Sequence, residues 1–275
     1  MRRLLVPALL VYSVILFRAA YQSVTLDEAD AFMSFATGNL DTSFYPSSGN
    51  HVLNSLLARH TTQVFGLSQF TFRIPAMLGA LLYLLSVAAI VTRLAPTRHL
   101  LAFAILTCNP FILDYLVASR GYALALGFLA AMVALAMRIL DRGPTPIRDT
   151  ILISICAALA VAANFSFAFC IAGTLGAFLL SLPKTKRWFA LALAATIPGA
   201  IVGFAIVGKT HMAFPRDQLY YGAHSWPEMW TEMLDAVFPK QNLQLASIEP
   251  VLTAARGAAP YFILLPISIG LWMST

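Results

Sequence analysis

The chain is predicted to fold as an all-α, polytopic transmembrane helix bundle of about eight spans. Three observations predict it. First, 59% of the residues are hydrophobic and the mean hydropathy is +0.77, whereas a soluble domain is about half apolar. Second, only 11% of residues are charged, and the charges leave long gaps. Residues 74–92, 121–137, 188–208 and 257–275 carry none, and each run approaches the roughly 20 residues that cross a bilayer as helix. Third, the basic residues are bunched. With the N-terminus inside, Arg2, Arg3, Arg93, Arg98, Arg138, Arg142, Arg148, Lys184, Lys186 and Arg187, ten of eighteen, fall in short inner loops, as the positive-inside rule expects.

The elements follow in order. Residues 1–20 have the basic start and apolar core of a signal peptide, but Arg18 stands where a cleavage site needs a small side chain. The stretch therefore reads as an uncleaved first span, with Arg18 snorkelling to the far interface. Residues 21–70 form a first outer segment. Span two covers 74–92, span three 100–116 with a helix break at Asn109 and Pro110, and span four 121–137. The uncharged run 150–183 has 34 residues, too long at about 1.5 Å per residue for one crossing of a core about 30 Å thick. It is expected to make two short spans parted at Asn164, Phe165 and Ser166, or else one steeply tilted helix. Span seven is 188–208. In the second outer segment, 209–250, Ser225 and Glu228 have capping-box spacing, and Trp226, Trp230, Met233 and Val237 recur at helical intervals. That pattern fits an amphipathic interfacial helix or a packed helix atop the bundle. Residues 257–275 complete the count. No repeat, low-complexity tract or linker divides residues 1–275, which read as one transmembrane domain.

The net charge of +6 is accounted for by topology, so nucleic acid is not an expected partner; membrane lipids are. Cys108, Cys156 and Cys170 lie in predicted spans without ligand spacing, so neither a disulfide framework nor a metal site is indicated.

The chemistry-bearing residues gather at the outer ends of the spans. "TLDEADAF" supplies Asp27, Glu28 and Asp30 directly after span one. On a helix Asp27 and Asp30 share a face and Glu28 turns about 100° away. One of these acids could simply suit the helix start, with Thr25 as cap. "SSGNHVLNSLLARH" adds Asn50, His51 and Asn54, Arg73 precedes span two, and "NPFILDYLVASRGY" brings Asp114, Arg120 and Tyr122. A salt bridge between Asp114 and Arg120, six residues apart, is the bland account of both. Charged groups this near hydrocarbon are expensive and tend to mark function. Carboxylates, a His and an Arg on one face suit group transfer from an anionic lipid carrier, with Arg gripping phosphate and a carboxylate deprotonating a hydroxyl.

"LDEADAF" after span one, "GNHVLNSLL" before span two, "FRIPAMLGALLYLLSVAAI" through it and "NPFILDYLVASRGYALAL" around spans three and four resemble the GT-C membrane glycosyltransferases. The resemblance, over about residues 1–140, is to the branch of protein O-mannosyltransferases and lipid A aminoarabinose transferases, family 39-like. It implies a GT-C-like fold with a periplasmic or lumenal loop region. It further implies an inverting hexosyl- or pentosyltransferase that moves a sugar from a polyprenyl-phosphate donor to a hydroxyl acceptor on lipid, glycan or protein. Asp27 matches the family's catalytic acid and Glu28 its acidic neighbour, so these two are the expected catalytic residues. Arg120 with Tyr122 matches the Arg that approaches the donor phosphate. His51 matches a His that more often precedes Pro, whereas Val52 follows it here. Asn50 and Asp114 join the expected substrate-binding set. Family members are usually longer, so the chain is expected to lack C-terminal spans.

No cofactor signature is visible, and a divalent cation would have only the acidic trio to hold it. A multi-pass transporter and a non-catalytic or degenerate subunit remain open as alternatives. The expected location is a bacterial cytoplasmic (inner) membrane, with the N-terminus inside.

Overall fold

The computed structural model describes residues 2–142, 146–182 and 184–213, together with Ser225, Glu228, Pro250 and Ala254. The chain forms two compact units, Met1–Gln218 and Leu219–Thr275. In the second, Ser225 Oγ accepts the Glu228 N–H at 3.3 Å, as the capping-box spacing suggests. The rest of the expected amphipathic helix, and the last expected span, lie outside the described residues.

In the first unit all regular structure among the described residues is helical: α1 (Arg2–Tyr21), α2 (Leu26–Ala31), α3 (Val52–Phe65), α4 (Ile74–Leu94), α5 (His99–Thr107), α6 (Pro110–Val117), α7 (Tyr122–Arg142), α8 (Ile147–Ala163), α9 (Ala168–Ser181) and α10 (Trp188–Met212). Four helical stretches among the described residues are long and apolar enough to cross a membrane: Arg3–Tyr21, Thr71–Leu94, Tyr122–Asp141 and Trp188–Thr210. Helices α5 and α6 make a fifth if taken as one bent span. The outward faces of α1 and α10 carry exposed Leu9, Leu10, Phe17, Ile201 and Phe204, a surface compatible with an integral membrane protein. Helices α8 and α9, where two short spans are expected, have 17 and 14 residues and are not among those four stretches.

Two breaks fall where the sequence places them. The axis turns by 61° between α5 and α6, where Pro110 occupies the first turn of α6 and Asn109 caps it by accepting the Phe111 N–H at 2.9 Å. Likewise α8 ends at the extended Asn164, whose side chain accepts the Ser166 N–H at 3.0 Å. A single tilted helix over 150–183 is thereby ruled out.

Small residues set the helix pairing. Helices α4 and α7 run parallel in backbone contact: a Cβ on Gly79 would lie 2.4 Å from the Leu124 nitrogen, and one on Gly127 2.5 Å from the Gly79 oxygen. Between apolar spans such close approach supplies the attraction that burial cannot, because lipid is as apolar as the side chains. Helices α8 and α10 repeat the arrangement at Gly199. A Cβ there would sit 2.2 Å from the Ser154 oxygen, and the Gly199 N–H donates to Ser154 Oγ at 2.7 Å. This bond stands beside Pro198, which itself offers no donor. One core joins α1, α4, α5, α6 and α7 through residues such as Leu84, Phe103 and Leu116, and a second joins α7 to α10 through Met132, Ile153 and Ala195.

This packing gives the unit two ends. Residues 22–73 cap one end, beside the starts of α4 and α7. At the other, Arg93 meets Asp141 at 3.4 Å and Arg138 meets Asp149 at 2.9 Å. Gly79→Val should therefore push α4 from α7 and lower stability by about 1–3 kcal/mol or more, read as thermal melting in detergent. Gly173→Ala, in open space on α9, should leave the melting temperature unchanged or slightly raised.

Candidate functional site

The capped end is organised by α2. Thr25 is its N-cap: Thr25 Oγ1 accepts the Glu28 N–H at 3.3 Å, and Glu28 Oε2 accepts the Thr25 N–H at 3.0 Å, closing a capping box. The helix then loosens into a π-helical turn over Phe32–Ala36. Of its three acids, Glu28 points into the bundle, 1% exposed, while Asp27 and Asp30 stay outside, as the helical spacing anticipates.

Glu28 meets Arg73, which is wholly buried. Arg73 Nε donates to Oε1 at 3.0 Å and Nη2 to Oε2 at 2.8 Å, the bidentate fork that guanidinium and carboxylate geometries favour. The other Arg73 protons go to carbonyls at the end of α1, namely Ala19 at 3.3 Å, Gln22 at 2.7 Å and Ser23 at 3.1 Å. Glu28 Oε1 also accepts the Ser119 N–H at 2.9 Å. Burial raises the Glu28 pKa, but Arg73, Ser119 and Thr25 outweigh it and hold the carboxyl below its ordinary range. Glu28 is thus a positioning residue rather than an accessible acid.

Either side of this anchor stand the exposed partners. Arg120, next to Ser119, donates from Nη1 to Asp27 Oδ2 at 2.5 Å, with side chains 29% and 65% exposed. The Arg120 Nε is buried without a partner. Gly121 makes the turn possible: its φ is +75°, and a Cβ would lie 1.9 Å from the Ala163 oxygen, so both conformation and space require glycine. Tyr122 follows, its ring 5.8 Å from His51 and 4.5 Å from Tyr115. The structure therefore brings together Asp27, His51, Arg120 and Tyr122, as the sequence suggests, and adds Tyr115 and Ser119, which it did not.

Other expectations change. Asp114 pairs with Arg18, not Arg120. Arg18, expected to snorkel, is held by that carboxylate and by Gln22 Oε1 at 2.9 Å. Asn50 is consumed by its own loop: Nδ2 donates to the Ser43 and Tyr45 carbonyls, and Oδ1 accepts from Ser55. Asp30 accepts from Ser34. The acidic trio thus diverges, and among the described residues no group of three His, Cys, Asp or Glu side chains is placed to hold a metal ion.

Behind Asp27 and Arg120 lies a small cavity, about 10 Å³, lined by Phe32, His51, Asn54, Ser55 and Ser119 among others. That is about the room one water needs. Asn54 donates to the Ser119 carbonyl at 2.9 Å, leaving its buried Oδ1 unpartnered. Burial, then the nearby Arg120 charge, pull the His51 pKa down to about 4.

No protein-family model, curated protein or solved structure matches the chain.

Glu28→Gln should strand a buried guanidinium and cost about 3–5 kcal/mol, visible as a fall in melting temperature far beyond that of Asp30→Asn. The pH dependence has two parts. His51 stays neutral in the fold down to about 4, whereas an unfolded His binds its proton near 6.5. The unfolded chain thus takes up the extra proton in that window, and stability falls as pH drops through it. The lowered Glu28 pKa makes a contribution present above the ordinary Glu range near 4.3 and lost as pH falls through the folded value. His51→Gln should flatten the stability curve between about pH 6.5 and 4 and leave the more acidic loss in place; an unchanged curve refutes the His51 assignment.

Proposed function

We propose that the chain is an inverting glycosyltransferase that moves a sugar from a polyprenyl-phosphate donor to a hydroxyl acceptor at the outer face of the membrane. One observation carries the reading: an exposed carboxylate, Asp27, lies against a half-exposed guanidinium, Arg120, at the capped end of an apolar helix bundle. Asp27 is the general base. It takes the proton of the acceptor hydroxyl as that oxygen bonds to the anomeric carbon. The carbon–oxygen bond to phosphate breaks on the opposite face, its electron pair leaving with the polyprenyl phosphate, and the centre inverts. Arg120 neutralises that phosphate. His51, Tyr115 and Tyr122 form an aromatic wall beside the pair, suited to the face of a sugar ring.

The ion pair also orders the steps. While Arg120 holds Asp27, the carboxylate Oδ2 is occupied; a donor phosphate that takes over the guanidinium frees it to meet the acceptor hydroxyl. The sequence resemblance and the basic residues at the opposite end support placing the N-terminus in the cytoplasm and residues 21–70 outside.

In a sugar-transfer assay with purified protein and a polyprenyl-phosphate donor, Asp27→Asn should lower turnover by about a hundredfold to ten-thousandfold while donor binding is kept. Arg120→Lys keeps the charge but loses the planar fork, so donor affinity should drop. Near-normal turnover in Asp27→Asn sinks the base assignment, and an inactive parent chain with every donor sinks the enzyme. Impermeant thiol labelling of Ser48→Cys in intact cells tests the topology: labelling only after the inner face is opened reverses it.

A further inference from the structure

The end of the bundle opposite the candidate site carries an unexplained crevice. It lies between the starts of α8 and α10, encloses about 260 Å³, and is lined by Pro146, Ile147, Arg187, Ala190 and Leu191. Its chemistry is split: Ile147, Ala190 and Leu191 give an apolar wall, and the exposed Arg187 gives a cation.

The charges around it are unbalanced. Arg93 and Arg138, at the same end, are neutralised by Asp141 and Asp149. Arg148, Lys184, Lys186 and Arg187 are all exposed, and among the described residues none has a carboxylate partner. Two helix N-termini also meet here, and α8 has no side-chain cap, so both macrodipoles add positive potential. Directly along α10 from the cations come Trp188 and Phe189, both exposed. Trp188 donates its indole N–H to the Leu179 carbonyl at 3.3 Å. That order, cations, then an indole, then bare hydrocarbon side chains, is the profile of a membrane interface read from headgroup to acyl chain.

We infer that this crevice binds an anionic phospholipid of the adjoining leaflet, its phosphate held by Arg187 with Lys186 and Lys184 and its acyl chain lying on Ile147, Ala190 and Leu191. A soluble anion would use the cations but not the apolar wall, and a zwitterionic lipid would use the wall but bring a cation of its own to a basic site. The inference does not depend on the chemistry proposed for the other end.

The test uses full-length protein with Trp226, Trp230 and Trp272 changed to Phe, in a neutral detergent, leaving Trp188 as the only fluorophore of its kind. Phosphatidylglycerol with brominated acyl chains should quench Trp188 at a lower mole fraction than brominated phosphatidylcholine. Each cation removed should weaken that preference by roughly fivefold, so K186Q/R187Q should lose most of it, with its melting temperature kept because both residues are exposed. Arg93→Gln, whose charge is already paired, should retain the preference. Equal quenching by the two lipids overturns the proposal, as does an equal loss in Arg93→Gln, which would make the effect one of general surface charge. Displacement of the brominated lipid by inorganic phosphate also overturns it, since the site would then hold phosphate alone.

Discussion

The buried pair of Glu28 and Arg73 is the interaction on which the capped end depends. A carboxylate and a guanidinium taken out of water cost several kcal/mol each unless every proton and lone pair finds a partner. Here they do. Arg73 serves Glu28 twice and three carbonyls at the end of α1. Glu28 serves Arg73, the cap of its own helix and the Ser119 amide. Four separate parts of the chain, the end of α1, the whole of α2, the start of α4 and the turn between α6 and α7, therefore share one hydrogen-bonded centre. Asp27 and Arg120 are each one residue from an atom of that centre. Their approach is set by backbone held on both sides, not by two long side chains finding each other in water.

The rest of the bundle supports this in a different way. Where α4 lies on α7 and α10 on α8, glycine lets backbone touch backbone, and the contacts are made by shape and by peptide dipoles instead of hydrophobic burial. Such pairs keep the starts of α4 and α7 side by side. Both Arg73 and Arg120 hang from those starts, so packing deep in the apolar layer carries through to the separation of charges at its edge.

The sequence shows some of this plainly and hides the rest for physical reasons. Span-like stretches and both helix breaks were legible, because a run free of charge has a length to be compared with a bilayer, and Pro110 and Asn164 interrupt backbone bonding. The helical spacing separated Glu28 from Asp27 and Asp30, but it could not say which face would meet the bundle. Partner choice was less legible still. Asp114 and Arg120 are near in sequence, yet each binds a group more than ninety residues away, Arg18 and Asp27 respectively. Ser119 contributes through its backbone amide, which any residue but proline possesses, so no residue type could announce it. Asn50 shows the reverse error: a polar side chain beside a candidate His reads as a ligand group until its own loop is seen to use it.

The five-donor role of Arg73 has a consequence for what the chain can tolerate. Lysine would bring the same charge with three protons on a single nitrogen, and they cannot be spread over a carboxylate on one side and the carbonyls closing α1 on the other. Glutamine or histidine would bring fewer donors and leave the buried Glu28 carboxylate without its bidentate partner, held only by the Thr25 and Ser119 groups. Position 73 thus has no conservative neighbour among the twenty amino acids, and a second-site change at Glu28 cannot rescue it, because the carbonyls of Ala19, Gln22 and Ser23 would still face an empty place. In a mutational scan this buried site, whose side chains touch no substrate, would look as intolerant as a catalytic one.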